Sequence, residues 1–193
     1  MKRIELFDTT KLQIFRICLS TICLFFLGCP TAPQDETPKA SDFSLEDLNP
    51  SSPTYGQFVG PTFYKDRDFV VAFYFGDHGW STCRHRFGVL NDMILELRAE
   101  GISNVQIVGI NGIEYANKSI SGMIDGKILP WVQDNIDQRV WQSWDAYIRD
   151  LFVLSYEGKV LEVINLTPFN PDPSVNEGEN YRIIKELLLS GRK

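Results

Sequence analysis

Ten consecutive residues, DFVVAFYFGD from Asp68 to Asp77, set the strongest limit on how this chain folds. The run is apolar and aromatic without alternation and is bounded by charges, so it has no polar face to turn to water. A strand of that kind belongs in the middle of a sheet with both faces covered. From Cys83 onward Phe87, Leu90, Met93 or Ile94, and Leu97 recur at spacings of three and four, the mark of a helix with one apolar stripe that ends at Glu100-Gly101. Strand, short loop and helix in that order place GWSTCRHRF, Gly79 to Phe87, where a buried strand delivers its chain to a helix start.

The rest of the chain extends this unit. VQIVGINGI from Val105 is a second buried strand, and a turn-rich stretch then leads to LPWVQD. QRVWQSWDAY, with Trp141, Trp144 and Tyr147, is expected to be helical, and core packing is the leading role for its tryptophans together with Trp131. DLFVLSYEGKVLEVINLT reads as a hairpin turning at Glu157-Gly158, and NYRIIKELLLSGRK as an amphipathic closing helix. DFSLEDLNPSSPTYGQFVGPTFYKDR, rich in Pro, Ser and Gly, suggests short extended pieces between turns. The order β, α, β, α, β, β, α, with right-handed crossovers, makes the first two strands parallel and adds an antiparallel hairpin. The expected fold class is α/β, a central mixed β-sheet flanked by helices.

The amino terminus differs in character. Lys2, Arg3, Lys11 and Arg16 precede the apolar run ICLSTICLFFLG, which stops at Cys29 and is followed by PTAPQDETPKAS. That is the layout of a secretory signal, and the run is too short for a mature membrane helix, which needs about 20 residues. Phe26-Leu27-Gly28-Cys29 is similar to the lipobox of bacterial lipoproteins, with an unmodified signal or a buried amino-terminal helix as the alternatives. The expected organisation is a signal peptide over 1–28, a Pro-rich disordered tether over 29–41 anchored by lipid on Cys29, and one domain over 42–193. Such a protein faces the periplasm from the bacterial cell envelope.

Charge narrows the partners. Lys plus Arg total 19 against 25 Asp plus Glu, a net charge of −6, and no basic run is long enough to track a phosphate backbone, so nucleic acid is excluded. Removing the leader takes Cys18 and Cys23 with it and lipid blocks Cys29, which leaves Cys83 as the free thiol of an exported protein. A lone thiol in an oxidising compartment asks for an explanation.

The stretch from VVAFYF through WSTCRHRFGVLNDMILELRAEGISNVQIVGING, with ILPWVQD, VW and the closing hairpin behind it, resembles the redoxin branch of the thioredoxin-like superfamily. Within it the amino-terminal domain of selenoprotein P and its bacterial relatives are most similar, over roughly residues 42–167. The resemblance implies a thioredoxin-like fold, thiol–disulfide oxidoreductase or peroxidase chemistry, and a protein or small-molecule thiol, disulfide or peroxide as partner, with no cofactor. The family carries Cys-x-x-Cys or selenocysteine-x-x-Cys at the strand-to-helix turn. Cys83 matches the second position, and the attacking position falls on Trp80. The proline that shapes the thioredoxin substrate groove is absent, its approach being Tyr147-Ile148-Arg149-Asp150.

Several readings of the site follow. In the redox reading Cys83 is the centre, Arg84 with its neighbours and the helix start favour its negative charge, and Ser81 or Thr82 caps the helix and donates a hydrogen bond. In a second, Trp80 is a misread selenocysteine, since UGA is rendered as tryptophan in some translations. In a third, the domain is a catalytically degenerate binding module with a vestigial core thiol. In a fourth, His78, Cys83 and His85 hold a soft metal ion, as in copper chaperones of the same fold, although a second sulfur is missing.

Overall fold

The computed structural model describes residues 40–193. The leader expected over 1–28, most of the tether, and Cys18, Cys23 and the lipidation site Cys29 lie outside the described residues. Ser41 is already held: its carbonyl accepts the Trp144 indole N–H at 2.8 Å and its hydroxyl meets that of Ser143.

Two short strands, β1 (Leu45–Glu46) and β2 (Phe58–Val59), pair antiparallel. They lead into the single-turn helix α1 (Pro61–Lys65), which has proline at its first position, where a missing N–H is harmless. The main sheet and its helices follow: β3 (Val70–Gly76), α2 (Ser81–Ala99), β4 (Val105–Asn111), α3 (Ser121–Ile124), β5 (Trp131–Gln133), α4 (Val140–Ser143), β6 (Asp150–Leu154), β7 (Val160–Asn165) and α5 (Glu179–Ser190). The strand order is β5-β4-β3-β6-β7, with β3 parallel to β4, β4 parallel to β5, and the β6–β7 hairpin antiparallel to β3. β3 is the central strand and every one of its residues is buried.

Alternation along β3 divides the core into two. Val70, Ala72 and Tyr74 face α2 and α5, where Phe87, Leu90, Met93, Ile94 and Leu97 of α2 are fully buried. Each such side chain contributes roughly 1.5–3 kcal/mol of burial free energy. Val71, Phe73 and Phe75 face the other way, onto Phe43, Val59, Tyr64, Val140 and Trp144 from the amino-terminal segment and α4. Gly109 of β4 allows the closest packing of the first core: a Cβ there would stand 2.1 Å from the Trp131 ring and 2.8 Å from that of Phe87.

Three expectations change. The QRVWQSWDAY helix shrinks to one turn, because Asp145 adopts a left-handed backbone (φ 49°) and ends it. LPWVQD contributes an edge strand, β5, whose three residues are too few to show a period. The tryptophans do not form one cluster: Trp131 packs on Phe87 on the α2 side of the sheet, while Trp141 and Trp144 pack on Phe75 on the opposite side.

Candidate functional site around Cys83

The site forms where β3 ends. Asp77, almost fully buried, turns the chain: its carboxylate accepts the Gly79 N–H at 2.7 Å and its carbonyl the Trp80 N–H at 3.3 Å. Trp80 stands at the N-cap of α2 in extended conformation (φ −98°, ψ 123°), and the helix begins at Ser81. Cys83 is therefore the third residue of the helix, in its first turn, where backbone N–H groups lack partners and the dipole is positive. No side chain caps this end, so Ser81 and Thr82 do not serve as caps. They already lie inside the helix, one position too late for that geometry.

Positions 80 and 83 differ sharply in access. Trp80 is 56% exposed and Cys83 is 0% exposed. Cys83 is the free cysteine among the described residues. The Tyr74 hydroxyl, from the central strand beneath, donates to the Cys83 carbonyl at 3.3 Å. Burial first, and then the charge and hydrogen bonding of Cys83, raise that phenol well above its ordinary titration range, so it stays a donor.

Guanidinium groups surround this turn, each tied to backbone or to a hydroxyl. Arg84 donates to the His78 carbonyl at 2.7 Å and not to the sulfur, so it braces the loop. Arg86, nearly buried, donates to the Leu166 carbonyl at 3.1 Å; burial lowers its titration, with Tyr74 and Asp172 opposing. Arg149 occupies the approach to β6 with a left-handed backbone (φ 70°), fastened by its own N–H to Phe75 and by the Leu166 N–H on its carbonyl. Its guanidinium donates to Thr167 at 3.0 Å and lies 6.0 Å from the centre of the Trp80 ring, while its Nε is buried with no partner among the described residues. A non-glycine residue in that region costs about 1–3 kcal/mol, and such strain persists where surrounding structure over-determines it.

The histidines are not brought together with the sulfur as a ligand set. His85 points outward and bonds Asp172 at 2.7 Å; the Ser174 hydroxyl and N–H, then His85, pull that carboxyl down to about 2. His78 is buried with its Nδ1 unpartnered, 3.5 Å from Asp77, and its ring meets Tyr115 edge-on at 5.8 Å. Among the described residues no group of three or more His, Cys, Asp or Glu is placed to hold a metal ion. Sequence reasoning missed Tyr74 and Arg149. Tyr74 is hidden in an apolar run, where its hydroxyl was the one available signal, and Arg149 reaches the site only through the sheet.

No family model matches the chain, and no curated protein matches it. Solved structures do. A protein assigned as thiol:disulfide interchange protein DsbE from Chlorobium tepidum is 18% identical, with a TM-score of 0.59 over 81% of this chain and 97% of that one. Yeast Sco1 with copper bound is 13% identical, with a TM-score of 0.57 over 78% and 92%. A protein assigned as a disulfide isomerase from Bacteroides thetaiotaomicron is 17% identical, with a TM-score of 0.56 over 79% and 87%. At these identities the likeness establishes the architecture, a mixed five-stranded sheet with helices on both faces, which is the thioredoxin-like fold expected above.

Proposed function

We propose that this chain, which has the thioredoxin-like fold, is a thiol-dependent redox protein of the bacterial cell envelope, tethered through lipid on Cys29 and centred on Cys83. One observation carries the reading: the thiol sits in the first turn of the helix that leaves the central strand, behind an exposed residue at the preceding motif position. In the single-thiol cycle the Cys83 sulfur attacks one oxygen of a peroxide, the O–O bond breaks, and water or an alcohol leaves as the sulfur becomes a sulfenic acid. An external thiol then displaces water to give a mixed disulfide, and a second thiol releases Cys83 reduced. Cys83 is fully buried, so the first turn of α2 must open to admit the peroxide. The full chain consumes peroxide or a model disulfide, and Cys83→Ser abolishes that consumption; equal rates in both proteins remove the proposal.

A second reading has its own support. Position 80 is the accessible, attacking position and position 83 the sheltered, resolving one, the division of labour that selenocysteine-x-x-Cys requires. If codon 80 is UGA, residue 80 is the nucleophile and Cys83 closes a selenenylsulfide; a UGG codon ends this reading. The donor set fits copper poorly, since Cys83 is buried, His85 is engaged by Asp172 and no second cysteine is present among the described residues.

A further inference from the structure

We propose that a cavity at the carboxyl end of α2 binds a small organic anion with an apolar body, of the aryl or short-chain carboxylate class. The cavity has a volume of about 380 Å³ and lies between α1, the end of α2 and the loop before β2. That volume is within the range of small-molecule pockets. It is fifteen residues along α2 from Cys83, roughly 22 Å at 1.5 Å per residue, and so is separate from the redox site.

Its walls are built in two parts. Pro53, Phe63 and Phe69 supply an apolar slot. Tyr64, only 2% exposed, presents a hydroxyl that is buried without a hydrogen-bond partner among the described residues. An unmet donor of this kind costs about 1–3 kcal/mol in a native structure, and a ligand acceptor would relieve it. Thr54, beside it, gives its proton to Asp47 at 2.8 Å.

Charge selects the ligand. Arg98 and Arg67 both line the cavity; at the Tyr64 hydroxyl, burial and the Asp47 carboxylate oppose ionisation while the Thr54 hydroxyl and the two guanidiniums favour it. Arg98 donates to the buried Gln106 amide oxygen at 3.4 Å, and Arg67 lies 3.8 Å over the Phe63 ring and donates to the Phe63 carbonyl. Each guanidinium has five N–H donors, so most remain available. No carboxylate lines the cavity among the described residues, and Asp47, behind Thr54, is held by the N–H groups of Asn49 and Trp131. Two guanidiniums without a carboxylate partner among the described residues, a buried hydroxyl and an aromatic slot form a receptor for an anion carrying a hydrophobic group.

Isothermal titration of the full chain with phenylacetate and with its neutral counterpart phenylacetamide tests this. Phenylacetate binds saturably, and the amide, which lacks the charge, binds about tenfold or more weakly. Arg98→Gln weakens phenylacetate by a similar factor. Tyr64→Phe weakens it several-fold while the thermal midpoint of the free protein stays level or rises, an outcome that a purely structural tyrosine would not give. Absence of saturable binding, equal affinity for acid and amide, or unchanged affinity in both variants overturns the proposal.

Discussion

The two ends of α2 use the same side chains for opposite ends. At the amino end a buried tyrosine, Tyr74, and the guanidiniums of Arg84, Arg86 and Arg149 brace the backbone and loops around the turn that carries the fully buried Cys83. Each of these arginines holds a backbone carbonyl or a hydroxyl, and the Arg149 Nε is buried without a partner among the described residues. At the carboxyl end a second buried tyrosine, Tyr64, and the guanidiniums of Arg67 and Arg98 border an open cavity, and the tyrosine hydroxyl has no hydrogen-bond partner among the described residues. What separates the two ends is the tyrosine hydroxyl and the space beside it: Tyr74 bonds a carbonyl in a filled core, whereas Tyr64 has no partner among the described residues and borders a cavity.

The largest change comes from completing the amino end. Trp80→Cys replaces an exposed ring with a thiol one helical turn before Cys83, so air oxidation gives an 80–83 disulfide. Reduction of a model disulfide rises at least about a hundredfold over the parent chain, because a resolving thiol in the same chain replaces a bimolecular step. Mass spectrometry of the oxidised variant and turnover assays check both points; two free thiols after oxidation break the assigned geometry.

Packing between the two ends gives the next effect. Gly109→Ala forces a Cβ against the Trp131 and Phe87 rings and lowers stability by about 1–3 kcal/mol in denaturant titration. Gly88→Ala, also beside Phe87 but with its nearest new contact at 3.7 Å on the flexible Lys127 side chain, raises stability by up to about 1 kcal/mol, as Ala does over Gly within a helix.

Removing each tyrosine hydroxyl sharpens the contrast directly. Tyr74→Phe loses the bond to the Cys83 carbonyl and costs about 1 kcal/mol, whereas Tyr64→Phe removes an orphan donor and is neutral or stabilising. Equal losses in the two would show that the ends do not differ as described.

The smallest effect is a titration. Asp172, at the outer side of the amino end, has its carboxyl pulled from an ordinary 3.8 to about 2 by Ser174 and His85. A depressed carboxylate adds stability that is fully present above pH 3.8 and is lost as pH falls through about 2. Carboxyl NMR finds that midpoint, and Ser174→Ala moves it upward.

Much of this architecture is legible in the sequence. The unbroken β3 run, the α2 stripe and the hairpin each carry a long, regular signal, and Cys83 fell in the helical turn expected of it. What escaped was short or non-local. β5 has three residues and α4 one turn, too few for a period to appear. Burial of Cys83 against exposure of Trp80 follows from how the loop is turned by Asp77, and no spacing rule encodes that. The cavity at Tyr64 needs α1 folded against the end of α2, a meeting of distant segments in a stretch that reads only as turns.

The proposed redox role requires that the Cys83 sulfur react although it is sheltered. Treating the folded full chain with peroxide in the presence of dimedone, followed by peptide mass spectrometry, tests it directly. A dimedone adduct on Cys83, absent from Cys83→Ser, is the expected result. A folded chain whose Cys83 emerges as an unmodified thiol after that treatment would contradict it.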